Sequence, residues 1–251
     1  MSVKKGLRAR LLVAAIAPTV ALLAAPASPG AAAGVVTHAS MLHAGVDSSN
    51  WSGYASSKNP AHTFTSVSAS WVEPTGTCTS STRTAAAFWV GLDGYRANSP
   101  SVEQTGSDVD CVGGNPQYYA WYEMYPAGSV DYRNLVKPGD DFTASVTASG
   151  KSFTITIADT TQNWTETQHE TSGSAKQNSA EVIAEAPSDE SGILPLTDFG
   201  TVNFTSAMAN GVTIGTNKPV KITMATSGGT IEAKPSALSS DENFSVAWES
   251  S

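Results

Sequence analysis

The residues best suited to chemistry lie in one stretch, residues 89–108. Within it, Gln104 stands beside Glu103, and Gly106 and Asp108 follow closely. An amide side chain both donates and accepts hydrogen bonds, while a carboxylate can take up and release a proton. A glycine lets the backbone and a ligand approach each other closely. This combination indicates a site that binds or acts on a ligand.

The beginning of the same stretch predicts a β-strand over residues 86–93, in which side chains alternate between two faces. We expect one face in the core, because its side chains are apolar: Phe88, Val90 and Leu92. The opposite face carries Trp89, Gly91 and Asp93. An aromatic ring, a gap and a carboxylate are unusual on a solvated face and typical of a cleft. Asp-Gly at 93–94 predicts a turn after this strand.

A second candidate strand, residues 117–125, combines large aromatic rings with a carboxylate on one face. That face carries Tyr119, Trp121, Glu123 and Tyr125. Such a face fits a substrate-binding groove. The alternative is an aromatic core on both sides of the strand, with Glu123 at its edge.

A third candidate strand, residues 180–186, carries two acidic residues on one face. Glu181, Ile183 and Glu185 alternate with small apolar residues that we expect in the core. A carboxyl beside an isoleucine on a concave face would have a raised pKa, because desolvation disfavours the charged form. The alternative is an ordinary solvated face with two acids.

The rest of the chain predicts an all-β scaffold for these strands. Short runs rich in Thr, Ser, Val and aromatic residues alternate with turn residues, which is typical of a sandwich or a barrel. The other candidate strands are 50–56, 64–73, 101–105, 142–149, 152–158, 201–208, 219–226, 229–233 and 243–249. We interpret residues 166–179 as a loop, because they are polar and aperiodic.

The beginning of the chain predicts export. Four basic residues precede an apolar run at 11–25, and small residues follow up to Ala33. This pattern is typical of a secretory signal peptide over residues 1–33; the run is short for the alternative, a membrane anchor. Residues 34–49 are then a leader or short pro-segment, and residues 50–251 form a single domain.

Charge and cysteine content narrow the function further. Loss of the four basic signal residues, with no acidic ones, would take the formal net charge from −8 to −12. A strongly acidic protein is a poor binder of nucleic acid, and its self-repulsion weakens as carboxylates protonate in acid. Cys78 and Cys111 fit one disulfide in an oxidising compartment, which would join the loops on either side of residues 89–108.

Common catalytic motifs are missing from the sequence. It contains no Gly-x-Ser-x-Gly elbow, no His-Glu-x-x-His zinc helix and no phosphate-binding glycine loop. It also lacks the Asp-Thr-Gly and Asp-Ser-Gly triplets of a pepsin-like dyad. No metal or cofactor is therefore expected. What remains is an amide and several carboxylates on a β-scaffold.

Five blocks in order resemble the signature blocks of the glutamic peptidases, also called eqolisins, the G1 or former A4 family. The blocks are Asn50-Trp51-Ser52-Gly53, Phe88-Trp89-Val90-Gly91-Leu92-Asp93-Gly94, Gln104-Thr105-Gly106-Ser107-Asp108, Ala120-Trp121-Tyr122-Glu123-Met124-Tyr125-Pro126 and Ala180-Glu181-Val182-Ile183-Ala184-Glu185. Each block alone is weak, but five in order over residues 48–250 are specific.

The resemblance implies a secreted acid endopeptidase with a concanavalin-like, jelly-roll β-sandwich of two antiparallel sheets. It implies a catalytic dyad of Gln104 and Glu185, and it does not assign Glu181. Glu185 would take a proton from water and return it to the leaving amine, while Gln104 would hold the water and stabilise the oxyanion. The residues that match cleft positions for substrate are Trp51, Trp89, Asp93, Asp108, Trp121, Glu123 and Tyr125.

The expected partners are polypeptide substrates, bound by a monomer without membrane attachment after signal removal. Two departures affect substrate preference and pH optimum. Tyr119 stands where fungal members often carry Asp, and Ala-Pro-Ser follows Glu185 in place of an acidic run. The Cys78–Cys111 pairing resembles the bacterial branch of the family.

Two other classes of protein remain open from the residues alone. A glycoside hydrolase could use Glu181 and Glu185 or Glu123 as its acid–base pair. However, residues i and i+4 of a strand lie about 13 Å apart at a rise of ~3.3 Å each, and retaining pairs need carboxyls about 5–5.5 Å apart. A non-catalytic lectin-like module could instead stack sugar on Trp121 and Tyr125.

Overall fold

The computed structural model describes residues 37–38, 47–57, 63–79, 81–96 and 99–251, and these fold mainly as β-strands. The predicted signal peptide, residues 1–33, lies outside the described residues. Within the described ranges, no helix is long and apolar enough to cross a membrane.

The strands are short and numerous, as the sequence predicts. In chain order they are β1 (Asp47–Ser48), β2 (Trp51–Ser56), β3 (Ser66–Val72), β4 (Thr84–Leu92), β5 (Val102–Val112), β6 (Asn115–Tyr125), β7 (Val130–Asp131), β8 (Asp141–Ser149), β9 (Ser152–Asp159), β10 (Trp164–Thr171), β11 (Ala180–Glu185), β12 (Ser188–Asp189), β13 (Gly192–Ile193), β14 (Thr201–Ala209), β15 (Val212–Thr213), β16 (Val220–Ala225), β17 (Ile231–Pro235) and β18 (Phe244–Trp248). A 3-10 turn, Ile214–Asn217, follows β15.

Two antiparallel layers share one strand. The front sheet has the order β16-β2-β11-β4-β5-β6-β7, and the back sheet has the order β10-β9-β8-β3-β14-β18-β17-β16. Strand β16 pairs with β2 through Val220–Ile222 and with β17 through Met224 and Ala225, so it passes from one sheet to the other. The sheets face each other, since β4 and β5 contact β8 and β9. The predicted β-sandwich is thus confirmed.

The predicted alternation along the front sheet is also confirmed. The side chains of Phe88, Val90 and Leu92 lie in the main core between the sheets, whereas Trp89 lies in a second apolar cluster on the outer face. Strand β6 divides in the same way, with Ala120 toward the core and Trp121 on the outer face. The outer face of the front sheet therefore carries Trp89 and Trp121, two of the predicted cleft residues.

One loop prediction and one strand prediction were wrong in extent. Residues 166–171 of the segment interpreted as a loop belong to β10 (Trp164–Thr171), which pairs along its whole length with β9. Strand β10 is the edge of the back sheet, and its side chains alternate between exposed and half-buried positions, so polar residues suit it. The strand expected at 101–105 continues to Val112, because it is paired on both sides by β4 and β6.

The predicted disulfide is present. Cys78 and Cys111 are joined, with their Cα atoms 5.5 Å apart. Cys111 lies inside β5, not in a loop, so the bond ties the segment before β4 to the strand that carries Gln104. A cross-link of this kind stabilises a fold chiefly by restricting the unfolded chain.

Candidate active site

The register of the front sheet brings the sequence blocks together. Gln104 on β5 lies between Gly91 on β4 and Glu123 on β6. Gly106, two residues along, lies between Trp89 and Trp121 in the same way. Because residues two apart share a face, one patch of the outer face collects these side chains.

Two glycines are required by the close packing of this patch. A Cβ on Gly106 would lie 2.3 Å from the Phe88 carbonyl oxygen and 2.6 Å from Trp89 Cβ. A Cβ on Gly91 would lie 2.9 Å from the Trp89 ring and 3.1 Å from Gln104 Cβ. All four distances are shorter than ordinary van der Waals contacts, so glycine leaves the room that Trp89 and Gln104 occupy.

The Gln104 amide lies at the centre of the patch and is fully buried. Its Nε2 donates to Glu123 Oε2 at 2.8 Å and to the backbone carbonyl oxygen of His38 at 2.8 Å. Its Oε1 has no hydrogen-bond partner among the residues that the structure describes. The amide therefore already points a donor at a peptide carbonyl, and its oxygen is available to accept from a water.

The Glu185 carboxyl approaches the same His38 residue from β11. Its Oε2 accepts from Trp89 Nε1 at 2.8 Å and lies 3.9 Å from His38 Nδ1. Its Oε1 accepts from Asn50 Nδ2 at 3.3 Å. Burial raises the pKa of Glu185 well above its ordinary value, the charge of Glu123 adds to this rise, and the Trp89 hydrogen bond opposes it.

Glu123 links the two sides of the patch. Its Oε2 accepts from Gln104 and from the His38 backbone N–H, the latter at 3.1 Å. Burial raises the pKa of Glu123 to about 8, although both hydrogen bonds act to lower it. In this enclosed state Glu123 and Glu185 both hold protons more tightly than free carboxyls do.

Behind the patch, a hydrogen bond to Asp108 holds the Trp121 ring in place, and Asp108 also accepts a hydrogen bond from Tyr119. Trp121 Nε1 donates to Asp108 Oδ1 at 2.6 Å, and the Tyr119 hydroxyl donates to Asp108 Oδ2 at 3.1 Å. Trp121 stacks on His38 with 3.6 Å between ring centroids and 4° between planes. Asp108 thus contacts the ring that contacts His38.

The remaining predicted cleft residues divide into two groups. Trp51 packs edge-on against Trp89 with ring centroids 4.9 Å apart, and Tyr125 packs against the same outer cluster. The structure does not bring Asp93 to His38. Its carboxylate accepts three backbone N–H groups, from Lys176 and Gln177 at 2.8 Å and from Asn178 at 2.9 Å. Asp93 therefore clamps the segment before β11.

Two residues at the site were not singled out from the sequence. Asn50 opens the first signature block, and its contact with Glu185 could have been anticipated from that position. His38 lies in the predicted leader, which has no periodic pattern, so no sequence signal pointed to it. Among the described residues, no group of His, Cys, Asp or Glu side chains has the arrangement of a metal site.

The geometry and the sequence blocks agree with a known family. The model of the Peptidase A4 family matches residues 49–248. The chain therefore belongs to the Peptidase A4 family, the glutamic peptidases or eqolisins.

Similar proteins support this membership. Aspergillopepsin-2 of Aspergillus niger is 31% identical over 137 residues, which are 52% of this chain and 48% of that protein. Scytalidopepsin B of Scytalidium lignicola is 35% identical over 127 residues, which are 49% of this chain and 46% of that protein. The chain spans about half the length of these curated relatives.

The fold agrees with a solved structure as well. The crystal structure of scytalido-glutamic peptidase with a transition state analog inhibitor superposes with a TM-score of 0.68 at 26% identity. The superposition covers 80% of this chain and 98% of that chain. The two proteins therefore have the same β-sandwich fold over nearly the whole of the scytalido-glutamic peptidase chain.

Proposed function

We propose that this protein is a secreted acid endopeptidase that hydrolyses polypeptides with Gln104 and Glu185. The observation that carries the proposal is the convergence of these two side chains on one residue, His38. Gln104 Nε2 donates to the His38 carbonyl oxygen, and Glu185 lies beside the same residue from another strand. Secretion rests on the signal-peptide pattern at residues 1–33, and peptidase activity rests on the family.

The contacts allow hydrolysis by direct attack of water. The Glu185 carboxylate takes a proton from the water while the water oxygen bonds to the scissile carbonyl carbon. The Gln104 N–H donates to the oxygen as its negative charge grows, at the 2.8 Å separation already present for His38. Glu185 then gives the proton to the leaving nitrogen, and the carbon–nitrogen bond breaks without an acyl-enzyme.

The ionised form of Glu185 requires an open site. The raised pKa of Glu185 arises first from burial, and His38 is one of the residues that enclose it. Departure of His38 would readmit water and lower the pKa toward the ordinary value of a carboxyl. Base catalysis in acid is then available to the open enzyme.

The two sugar-directed alternatives have less support. Glu181 lies on the same face of β11 as Glu185, but its charge interactions are with Asp93 and Glu103, outside the patch around His38. Glu181 and Glu185 therefore do not face one common site, as the acid–base pair of a glycosidase must. Family membership also favours peptide substrates over a lectin.

The test is hydrolysis of a denatured protein from about pH 2 to 7 by wild type, Gln104→Ala and Gln117→Ala. Removal of an oxyanion donor costs roughly 10²–10³ in kcat, so Gln104→Ala should lose activity by that factor while it remains folded. Gln117 is exposed on β6 and serves as the matched control. Wild-type rates in Gln104→Ala would refute the proposal. Release of reducing sugar from a polysaccharide by a wild-type protein that cleaves no denatured protein would refute it as well.

A further inference from the structure

A short hairpin follows the proposed base closely along the chain. Strand β11 ends at Glu185, and β12 (Ser188–Asp189) then pairs with β13 (Gly192–Ile193) as a separate two-stranded sheet. Because the hairpin is not a member of the large sheet, strand pairing within that sheet does not fix its place beside the site. Other contacts must do so.

One edge of this hairpin forms backbone hydrogen bonds with an extended segment at the site. Thr37 N donates to Ser188 O at 2.8 Å, and Ser188 N donates to Thr37 O at 3.0 Å. The next residue, His38, carries the carbonyl oxygen to which Gln104 donates. Backbone bonds of this kind do not depend on sequence, so the edge of β12 offers them to any extended peptide that reaches Gln104.

Arg83 ties the hairpin to the strand that carries Gln104. Its Nη2 donates to Asp110 Oδ2 at 3.0 Å, and its Nη1 lies 3.6 Å from Asp189 Oδ2 on β12. Asp110 lies further along β5 and on the same face as Gln104, because side chains of a strand alternate. Of the ion pairs among the described residues, the pair with Asp189 is the only one that involves the hairpin.

The two ends of this contact differ in rigidity. The Asp110 side chain is 0% exposed, and its strand is paired on both sides, at Ala85 on β4 and Gln117 on β6. Arg83 and Asp189 are more exposed, at 22% each. A guanidinium group is a planar fork that can bond two carboxylates at once, whereas a lysine ammonium is a single point charge. Arg83 can therefore hold the hairpin at a set distance from β5.

The carboxylate on the hairpin is suited to an acidic medium. The hydroxyl and the backbone N–H of Ser191 donate to Asp189, and these bonds, together with the charge of Arg83, lower the pKa of Asp189. Burial raises the pKa of Asp110, and the hydrogen bond and charge of Arg83 oppose that rise. Asp189 thus keeps its charge at acid pH values where a free carboxyl is partly protonated.

We infer that Arg83 is a positioning residue of this peptidase, which holds the edge of β12 where an extended substrate binds beside Gln104. The inference rests on the proposed peptidase function, because the dyad defines where the peptide must lie. Arg83 acts through Asp189 and touches no reacting atom. Its loss should weaken substrate binding and leave the chemical step unchanged.

The experiment compares wild type with Arg83→Met, Asp189→Asn, the double variant and Arg133→Met. Asp189→Asn keeps the Oδ1 atom that Ser191 contacts and removes the anion. Arg133→Met is the matched control, since it removes the same charge from an exposed residue that has no ion pair among the described residues. Hydrolysis of a short fluorogenic peptide, at the acid pH where wild type is most active, gives kcat and KM.

We expect KM to rise about two- to fivefold in Arg83→Met and in Asp189→Asn, with kcat within about twofold of wild type, since a partly exposed ion pair contributes about that factor to binding. The double variant should match Arg83→Met, because both changes break one contact. Arg133→Met should match wild type. A purely structural role through Asp110 would leave KM unchanged in Asp189→Asn, and that result would overturn the inference.

A modified substrate tests the step through β12. The same peptide is N-methylated at the position that corresponds to Thr37, which removes the N–H that Ser188 O accepts. Methylation should raise KM about two- to tenfold in wild type, the contribution of one hydrogen bond, and by a smaller factor in Arg83→Met. An equal factor in the two proteins would overturn the inference.

A further readout separates this inference from the proposed function. If wild type cleaves no peptide, the peptidase proposal fails, and the hold of Arg83 on the hairpin is decided by hydrogen exchange of residues 188–194, followed by mass spectrometry. Exchange about two- to fivefold faster in Arg83→Met and Asp189→Asn than in wild type and Arg133→Met supports that hold. Equal exchange in the four proteins overturns it.

Discussion

At the scale of single residues, Trp89 partly opposes the rise that burial causes in the pKa of Glu185. Its indole N–H donates to Glu185 Oε2 at 2.8 Å, and this bond favours the ionised carboxylate. The same ring packs against Trp51 and lies in the room left by Gly91 and Gly106. The glycines of two signature blocks thus act through the placement of one tryptophan.

Trp89→Phe should raise the pKa of Glu185, because the ionised form loses a donor. A hydrogen bond to a charged group is worth about 1.5–3 kcal/mol, which corresponds to about one to two pH units. The acid limb of kcat/KM against pH should therefore move to higher pH by about that amount.

Trp71→Phe provides the control for this shift. Trp71 is also buried and donates through Nε1, but to Ser107 between the sheets. It should lower stability without moving the limb. An acid limb that stays in place, or moves to lower pH, in Trp89→Phe would contradict the role given to Trp89.

The sequence predicted most of the side chains at the site, for a physical reason. Strand alternation predicted a shared face for Trp89 on β4, for Trp121 and Glu123 on β6 and for Glu185 on β11. The residue types around Gln104 indicated a site, and the family resemblance gave Gln104 its expected catalytic role. Alternation ends at Asp93, which has φ +71°, so its carboxylate turns toward the segment before β11. His38 could not be predicted, because its placement depends on tertiary contacts and not on a local pattern.

At the scale of elements, Asp93 joins the end of β4 to the segment that leads into β11. Three backbone N–H groups converge on its carboxylate, and its own N–H donates to the Ser179 carbonyl oxygen at 3.1 Å. Strand β11 pairs with β4 along its whole length and ends at Glu185. The clamp therefore fixes the beginning of the strand whose end carries the proposed base.

Asp93→Asn should lower the free energy of unfolding while KM stays unchanged. Asparagine tolerates the positive φ but replaces one acceptor oxygen with a donor, so at least one partly buried N–H loses its partner, at a cost of about 1 kcal/mol. Urea unfolding measures the loss.

Asp198→Asn is the matched control for this prediction, since Asp198 accepts a single N–H, that of Gly200, in a more exposed turn. Asp93→Asn should be the more destabilising of the two. A raised KM in Asp93→Asn without loss of stability would instead support the substrate-binding role suggested by the family resemblance.

Element prediction succeeded where burial creates a pattern and failed where it does not. Strands β4, β6 and β11 have one face in the core, and the period of two was clear in each. Strand β10 is an edge strand with polar residues on both faces, so its composition resembled that of a loop. The length of β5 depends on its pairing with two neighbours, which no local pattern records.

At the scale of the whole molecule, carboxyl groups outside the proposed dyad are also buried. Glu73 lies between the sheets, where Ser107 donates to it, and burial raises its pKa to about 8 from 4.5. Burial likewise raises the pKa of Glu103 to about 7. These groups remain protonated in the folded chain at pH values where the unfolded chain has lost the proton.

Stability should therefore be full below about pH 4.5 and fall as the pH rises toward 7 and 8. Each buried group removes at most about 1.4 kcal/mol per pH unit between its unfolded and folded pKa. Urea unfolding from about pH 3 to 8 should show this decline in wild type and a shallower one in Glu73→Gln, which cannot ionise.

Glu249→Gln, at an exposed position after β18, should follow the wild-type curve. A wild-type stability that increases between about pH 5 and 8 would contradict the assignment of neutral buried carboxyls. The acidic composition and these buried groups both favour a protein that works in acid. The composition does so because self-repulsion weakens as carboxylates protonate. The buried groups do so because the folded chain is most stable when they are protonated.

The most direct test of the central claim is the acid hydrolysis of a denatured protein by Glu185→Gln and Glu181→Gln, measured side by side. Both changes replace a fully buried carboxyl on β11 by an amide of the same shape. The proposed mechanism predicts a loss of about 10²–10⁴ in kcat for Glu185→Gln and nearly wild-type activity for Glu181→Gln. Full activity in folded Glu185→Gln would contradict the assignment of Glu185 as the base.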